Sequence, residues 1–279
     1  MSADKIWMVA NAASGSAEQL PPDELGAALS AAGFAVVRTC LLPGDALPEP
    51  CALAAAKARL VVVHAGDGTV NAVVARLGGW QGYVLVLPGG TQNLFARRLH
   101  GDADARSIVA ALGEARLKPV HVPRIESAHG FALSEVIAGP GATWSDLRET
   151  MRDGDLAAMA ASFAEAVRLS AGGPTVHMAE PAAGRGEGYP ALRLHLQERA
   201  IAADGYAADG VADFARQGAA ILRRDFRSGP HEELGGFTSV VLRSEAPIEL
   251  ALDGERVTGG REERFSLSRC DVEFLALGN

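Results

Sequence analysis

Four consecutive residues, Gly66-Asp67-Gly68-Thr69, stand between the apolar run "RLVVV" (59–63) and a helical pattern. Two glycines let the backbone bend sharply and bring N–H groups close to a ligand. A carboxylate between them, at a helix N-terminus, suits a phosphate accompanied by a metal ion. Mg²⁺ takes oxygen ligands and keeps some of its waters, so Asp67 is the candidate metal residue. The same four residues are also good turn chemistry, with Thr69 as a helix N-cap. Two further stretches of small polar residues share their character: "NAASGS" (11–16) and "PGGTQN" (88–93). Ser14, Thr69, Thr91 and Asn93 can donate to phosphate oxygens without bulk. Phosphoryl transfer asks mainly for positioning and charge neutralisation, which such a set supplies.

Other chemistries find little support. There is no G-x-x-x-x-G-K-[ST], and "GDGTVN" puts Asn71 where a dinucleotide fingerprint needs its third glycine. The seven histidines form no H-x-x-x-H pair, and no G-x-S-x-G elbow is present. His64, just before the glycines, reads as a packed histidine rather than a catalytic one. Cys40, Cys51 and Cys270 have neither metal-ligand nor disulfide spacing and fit a reducing compartment.

The elements that must position these loops follow from periodicity. "IWMVA" (6–10), "FAVVRTCLL" (34–42), "RLVVV" (59–63) and "YVLVLP" (83–88) read as strands. Between them lie helical patterns: Leu25, Ala28, Leu29 and Ala32 share one face, and Val70, Val73, Val74 and Leu77 another. Further helices are expected around 50–58, through 93–99 and over 105–115. Apolar strands alternating with helices imply a parallel sheet covered on both faces, with ligands at the carboxyl ends of its strands. All three polar loops fall at such ends, so they are expected to converge on one crevice.

The second half has another rhythm. "HVPRIES", "FALSEVIAG", "ALRLHL", "FTSVVLR", "PIELAL", "RFSLS" and "VEFLAL" read as strands with little helix between them. Helical stretches are expected over about 144–170 and near 211–224. The fold class is therefore α/β: a Rossmann-like parallel-sheet domain at 1–124, followed by an antiparallel, β-rich, sandwich-like domain at 125–279.

Composition sets the bounds. The 279 residues are 48% hydrophobic and 22% charged, the balance of an ordinary globular protein long enough for two domains. A net charge of −8 argues against nucleic-acid binding through a broad basic face. The start "MSADKIWMVA" lacks a signal-peptide pattern, and the uncharged stretch 77–96 carries five glycines and Pro88. The expected location is cytoplasmic, with peripheral contact at the inner face of the membrane. "FARRL" (95–99) and "ILRRDFR" (221–227) are the candidate basic contacts.

In order and spacing, "NAASGS", "AGDGTVNAV" and "PGGTQNLFARRL" resemble the three nucleotide-binding motifs of the diacylglycerol kinase catalytic family, which includes bacterial lipid kinases and sphingosine kinases. The resemblance implies ATP and Mg²⁺ as cofactors and a lipid at the membrane surface as the partner. Carried over by position, Asn11, Ser14 and Gly15 match the first loop. Gly66, Asp67, Gly68, Thr69 and Asn71 match the second, and Gly90, Thr91 and Asn93 the third. Thr39 falls near a family threonine that contacts the nucleotide. A late Asp-Gly-Glu matches Asp253-Gly254-Glu255, with Glu255 the expected proton acceptor, helped or oriented by Asp253. Taken locally, Asp-Gly between alternating strands is a favoured hairpin turn. Ala65 and Leu94 depart from the family pattern, which usually has Gly and Asp there. They keep open a nucleotide- or lipid-binding protein without catalysis, and an NAD kinase-like enzyme is the other alternative. The segment around Glu187 is where a second metal site would be sought.

Overall fold

A computed structural model describes residues 4–11, 20–143, 173–206 and 231–278. Ser14, Gly15, "ILRRDFR" and both helices expected over 144–170 and 211–224 lie outside the described residues. The chain divides into two compact units. One comprises Met1–Val122 with Arg269–Asn279, the other Pro123–Ser268.

In chain order the first unit holds β1 (Lys5–Asn11), α1 (Pro22–Ala31), β2 (Ala35–Leu42), α2 (Pro50–Ala56), β3 (Leu60–Ala65), α3 (Asp67–Arg76), β4 (Tyr83–Pro88), α4 (Leu94–His100), α5 (Ala105–Gly113) and β5 (Leu117–Val120). β1, β3 and β4 are almost wholly apolar because both their faces are covered. On one face Ile6, Met8, Val62, Leu85 and Leu87 pack with Leu25 and Leu29 of α1 and Ile108 of α5. The alternate residues Val9, Val61, Val63, Val84 and Val86 are equally buried, as are Val70, Val73 and Val74 of α3.

The second unit holds β6 (Pro123–Ser127), β7 (Gly130–Ala132), β8 (Glu135–Ala138), a 3₁₀ turn (Pro140–Thr143), β9 (Val176–Glu180), β10 (Ala182–Ala183), β11 (Ala191–Leu196), β12 (Ile201–Tyr206), β13 (Glu232–Phe237), β14 (Ser239–Ser244), β15 (Glu249–Leu252), β16 (Glu255–Thr258) and β17 (Glu262–Arg269). They form two six-stranded sheets, β10-β9-β14-β17-β6-β7 (sheet B) and β13-β12-β11-β8-β15-β16 (sheet C). One apolar core joins them: Ile125, Met178, Val240, Leu242 and Phe265 of sheet B meet Val136, Leu192, Leu194, Ile201 and Leu250 of sheet C.

Two differences from the sequence reading bear on the site. The final strand, β18 (Glu273–Leu277), does not stay with the β-rich unit. It inserts in the first sheet (sheet A), whose order is β2-β1-β3-β4-β18-β5, parallel to β4 and antiparallel to β5. Phe274 explains the placement: it is fully buried and meets Phe95 of α4 edge-on, ring centroids 4.9 Å apart. The stretch "FALSEVIAG" is also not one strand. β7 belongs to sheet B and β8 to sheet C, so the chain changes sheets at Leu133–Ser134.

Candidate active site

β1, β3 and β4 are parallel neighbours, so the loops after them leave from the same edge of sheet A. The loops after β3 and β4 touch through bare backbone. A Cβ on Gly90 would lie 2.5 Å from the Gly66 Cα, and one on Gly89 would lie 2.5 Å from the Ala65 nitrogen. Only glycine permits that approach. A Cβ on Gly66 would instead meet nothing nearer than the Gly90 Cα at 3.5 Å, and Gly66 has φ −78°. Packing alone therefore leaves room for a side chain at Gly66.

α3 begins at Asp67, with Gly66 as the residue before its first turn. Thr69 thus lies inside the first turn instead of capping it, and Asn11 Nδ2 donates to Thr69 Oγ1 at 3.5 Å. The Asp67 carboxylate reaches the next loop. Its Oδ2 accepts the Leu94 amide at 3.0 Å and its Oδ1 the Phe95 amide at 2.9 Å. These are orphan donors of the first turn of α4, and a carboxylate suits that end of the helix.

Asn93 holds the third loop closed. It is left-handed (φ 52°), its Oδ1 accepts the Gly90 amide at 2.6 Å, and its Nδ2 donates to the Gly90 carbonyl at 2.8 Å. Asparagine tolerates that conformation. Thr91 is exposed beside it, and Asn71 is half-buried on α3. Next to this loop a cavity of about 330 Å³ is lined by Thr91, Gln92, Asn93, Arg97, Asp102 and Asp104, among others.

His64 closes the end of β3 against β4, its Nε2 3.2 Å from the Pro88 carbonyl. Burial lowers its pKa, partly offset by that bond. It is a packed histidine. Thr39 does not join the loops. It pairs with Met8 in mid-strand, whereas the strand ends meet at Asn11 and Leu42, three residues further on. That is about 10 Å at the rise of a strand.

In the second unit, Asp253 and Gly254 form the two-residue turn between β15 and β16, with φ 48° and 94° and Leu252 paired to Glu255. Consecutive positive φ values match the twist of a tight hairpin. The Asp253 carboxylate is occupied by backbone: Oδ2 accepts the Leu133 amide at 2.6 Å, and Oδ1 accepts those of Ser134 at 2.9 Å and Glu135 at 3.1 Å. These amides lie where the chain changes sheets, and the carboxylate supplies acceptors there. Asp253 thus holds the backbone where the chain changes sheets. Glu255, at the start of the edge strand β16, is exposed, and its carboxylate has no hydrogen-bonding partner among the described residues.

Near Glu187, Thr175 Oγ1 donates to the residue's carbonyl at 2.5 Å. No group of three or more acidic, histidine or cysteine side chains able to hold a metal ion occurs among the described residues. No helix among them is long and apolar enough to cross a membrane.

Sequence reasoning missed Gly89 and the amides of Leu94 and Phe95, since contacts 27 or 28 residues apart leave no local pattern. The first glycine of "PGG" was the available signal for the close approach.

Comparison with known proteins agrees with this geometry. The model of the diacylglycerol kinase catalytic domain matches residues 5–125. No curated protein matches the chain. The fold is similar to that of a diacylglycerol kinase structure from Bacillus anthracis str. Sterne: TM-score 0.60 and 15% identity, over 99% of this chain and 98% of that one. Two further structures described as diacylglycerol kinases of that strain give TM-scores of 0.62 at 14% identity and 0.56 at 15%. The first covers 99% of this chain and the second 100%, each with 98% of its own. At such identities the likeness speaks for the fold, and the family match speaks for the domain. The match therefore identifies residues 5–125 as similar to a diacylglycerol kinase catalytic domain, which supports a lipid kinase phosphotransferase.

Proposed function

We propose that this protein transfers the γ-phosphoryl group of ATP to a hydroxyl of a membrane lipid, such as diacylglycerol or a sphingoid lipid, with Mg²⁺ bound. The observation that carries the reading is the joining of the Gly66–Thr69 and Gly90–Asn93 loops into one backbone cradle, with space left at the Gly66 Cα. A backbone that close, rich in N–H groups and small hydroxyls, suits the phosphates of a nucleotide. The 330 Å³ cavity beside Thr91 is of a size for a base or ribose.

The donor set fits magnesium. A single carboxylate, Asp67, suits an ion that keeps several waters and leans on phosphate oxygens. Both Asp67 oxygens accept backbone amides, which fixes the carboxylate's orientation at the loop. When bound, the ion neutralises phosphate charge. Glu255 accepts the proton of the lipid hydroxyl as its oxygen bonds to the γ-phosphorus and the bond to the β,γ-bridging oxygen breaks, releasing ADP. Asp253 positions that carboxylate through the turn. With no helix among the described residues able to span a membrane, access to the lipid is by reversible contact from the surface.

The test is incubation with labelled ATP, Mg²⁺ and a total lipid extract, with NAD as a separate acceptor. A labelled lipid phosphate supports the reading. Labelled NADP favours the NAD kinase alternative. ATP binding without transfer to either acceptor favours a binding protein.

A further inference from the structure

The face of sheet C turned away from the sandwich core carries charge. On β11, Arg193 and His195 alternate with the core residues Leu192 and Leu194. Asp204 of β12 pairs with Arg193, and Glu135 of β8 pairs with His195, so all four side chains share that face. Glu135 and Asp204 are each only 5% exposed. Arg193 Nε donates to Glu135 Oε2 at 2.8 Å and its terminal nitrogen to Asp204 Oδ2 at 3.2 Å. His195 Nε2 lies 3.2 Å from the same Asp204 oxygen.

Arg193 and Asp204 are both held toward their charged forms. Burial alone would lower the Arg193 pKa, but the Glu135 carboxylate, with Tyr206 and Asp204, raises it overall. Burial likewise opposes ionisation of Asp204, and its histidine and arginine neighbours reverse that. Taking such ions out of water is costly, so the network is a poor way merely to stabilise a sheet.

Its connections suggest another use. Glu135 is gripped from two sides. Arg193 holds its side chain, while its N–H donates to Asp253 Oδ1 and its carbonyl accepts the Asp253 amide at 3.0 Å. Asp253 opens the turn that delivers Glu255.

We propose that Arg193 is a positioning residue for Glu255: its guanidinium, fixed between Glu135 and Asp204, sets the start of β8, which anchors the Asp253-Gly254 turn and so places the Glu255 carboxylate. This rests on the reading that Glu255 takes the acceptor's proton. The planar fork reaches two carboxylates in one fixed geometry, which a lysine ammonium does not reproduce.

Two measurements on the full chain test it. In Arg193→Lys, amide exchange at 133–135 and 253–255 is expected to quicken about tenfold or more, with Val240–Leu242 of sheet B unchanged. Unchanged exchange at 133–135 overturns the proposal. So does equal acceleration throughout the second unit, which marks a general loss of stability. Glu135→Gln, which weakens the same contact from the other side, is the second variant should Arg193→Lys fail to fold. In turnover, Arg193→Lys is expected to lower kcat about tenfold with the KM for ATP unchanged, and to add nothing in a Glu255→Gln background. Additive losses overturn the proposal. If Glu255→Gln alone leaves kcat unchanged, the base assignment falls, and the exchange result by itself decides whether Arg193 holds Glu255 in place.

Discussion

Asp67 and Leu94 stand 27 residues apart, yet the Leu94 amide donates to Asp67 Oδ2 at 3.0 Å, with Phe95 beside it on Oδ1. The carboxylate that the sequence marks for a metal also ties two loops together. Asp67→Asn turns one acceptor into a donor facing a buried N–H. It is expected to cost about 1–3 kcal/mol of stability as well as most of the phosphoryl transfer. Denaturant unfolding and turnover across a Mg²⁺ titration separate the two losses. Full stability in this variant contradicts the tie, and full turnover contradicts the metal role.

Gly66 and Gly90 face each other across the same gap but should respond oppositely to a methyl group. Gly90→Ala drives a Cβ to 2.5 Å from the Gly66 Cα and should destabilise the fold by about 1–3 kcal/mol. Gly66→Ala meets only ordinary contact at an allowed φ, so its melting is expected to match the parent. If phosphates approach that Cα, its ATP affinity falls about tenfold to a hundredfold through a clash of about 1–3 kcal/mol. Unaltered ATP binding in Gly66→Ala would remove the glycine loop from the nucleotide site.

The Asp253-Gly254-Glu255 turn separates chemistry from support. Glu255→Gln, on an exposed edge, should leave stability within about 0.5 kcal/mol and lower kcat about 10²–10⁴-fold. Asp253→Ala strips the acceptors from three amides and should cost about 3 kcal/mol or more. Gly254→Val is disfavoured by φ 94° alone. Thermal melts and steady-state kinetics on the three variants check this; a silent Glu255→Gln sends the search to another base, Asp67 first.

His100 gives the first unit a dependence on pH. It accepts the Leu277 amide on Nδ1 at 3.3 Å, and burial pushes its pKa down to about 4, against the opposing pull of the Val86 carbonyl. The unfolded chain, near 6.5, binds the proton first as pH falls. Stability from this group is therefore complete above about 6.5 and is lost progressively down to about 4, by roughly 3 kcal/mol in all. His64 adds a loss of the same sign. Stability measured from pH 7.5 to 4 should fall less steeply in His100→Gln than in the parent; an identical slope would contradict the assignment.

Much of the first unit was legible because β1, β3 and β4 are apolar on both faces and glycines directly follow β3 and β4. The loops' place at one sheet edge follows from that alternation. The return of β18 was not legible, since "VEFLAL" suits a strand in either unit and only the burial of Phe274 against Phe95 decides. The break in "FALSEVIAG" was hidden likewise: the group that caps it, Asp253, comes 118 to 120 residues later. Thr39 lies three residues short of the strand end, a distance that strand length and not residue type sets.

The return of β18 to a seat between β4 and β5 also imposes a timetable. As the chain emerges from the ribosome, residues up to 122 lack the strand that belongs inside their sheet until 273–277 have been made, after the whole of the second unit. Meanwhile β4 and β5 present unpaired edges, and Phe95 lacks its aromatic neighbour. Sheet A is thus completed only after the second unit has been synthesised, and an excised 1–122 fragment would carry that open edge permanently.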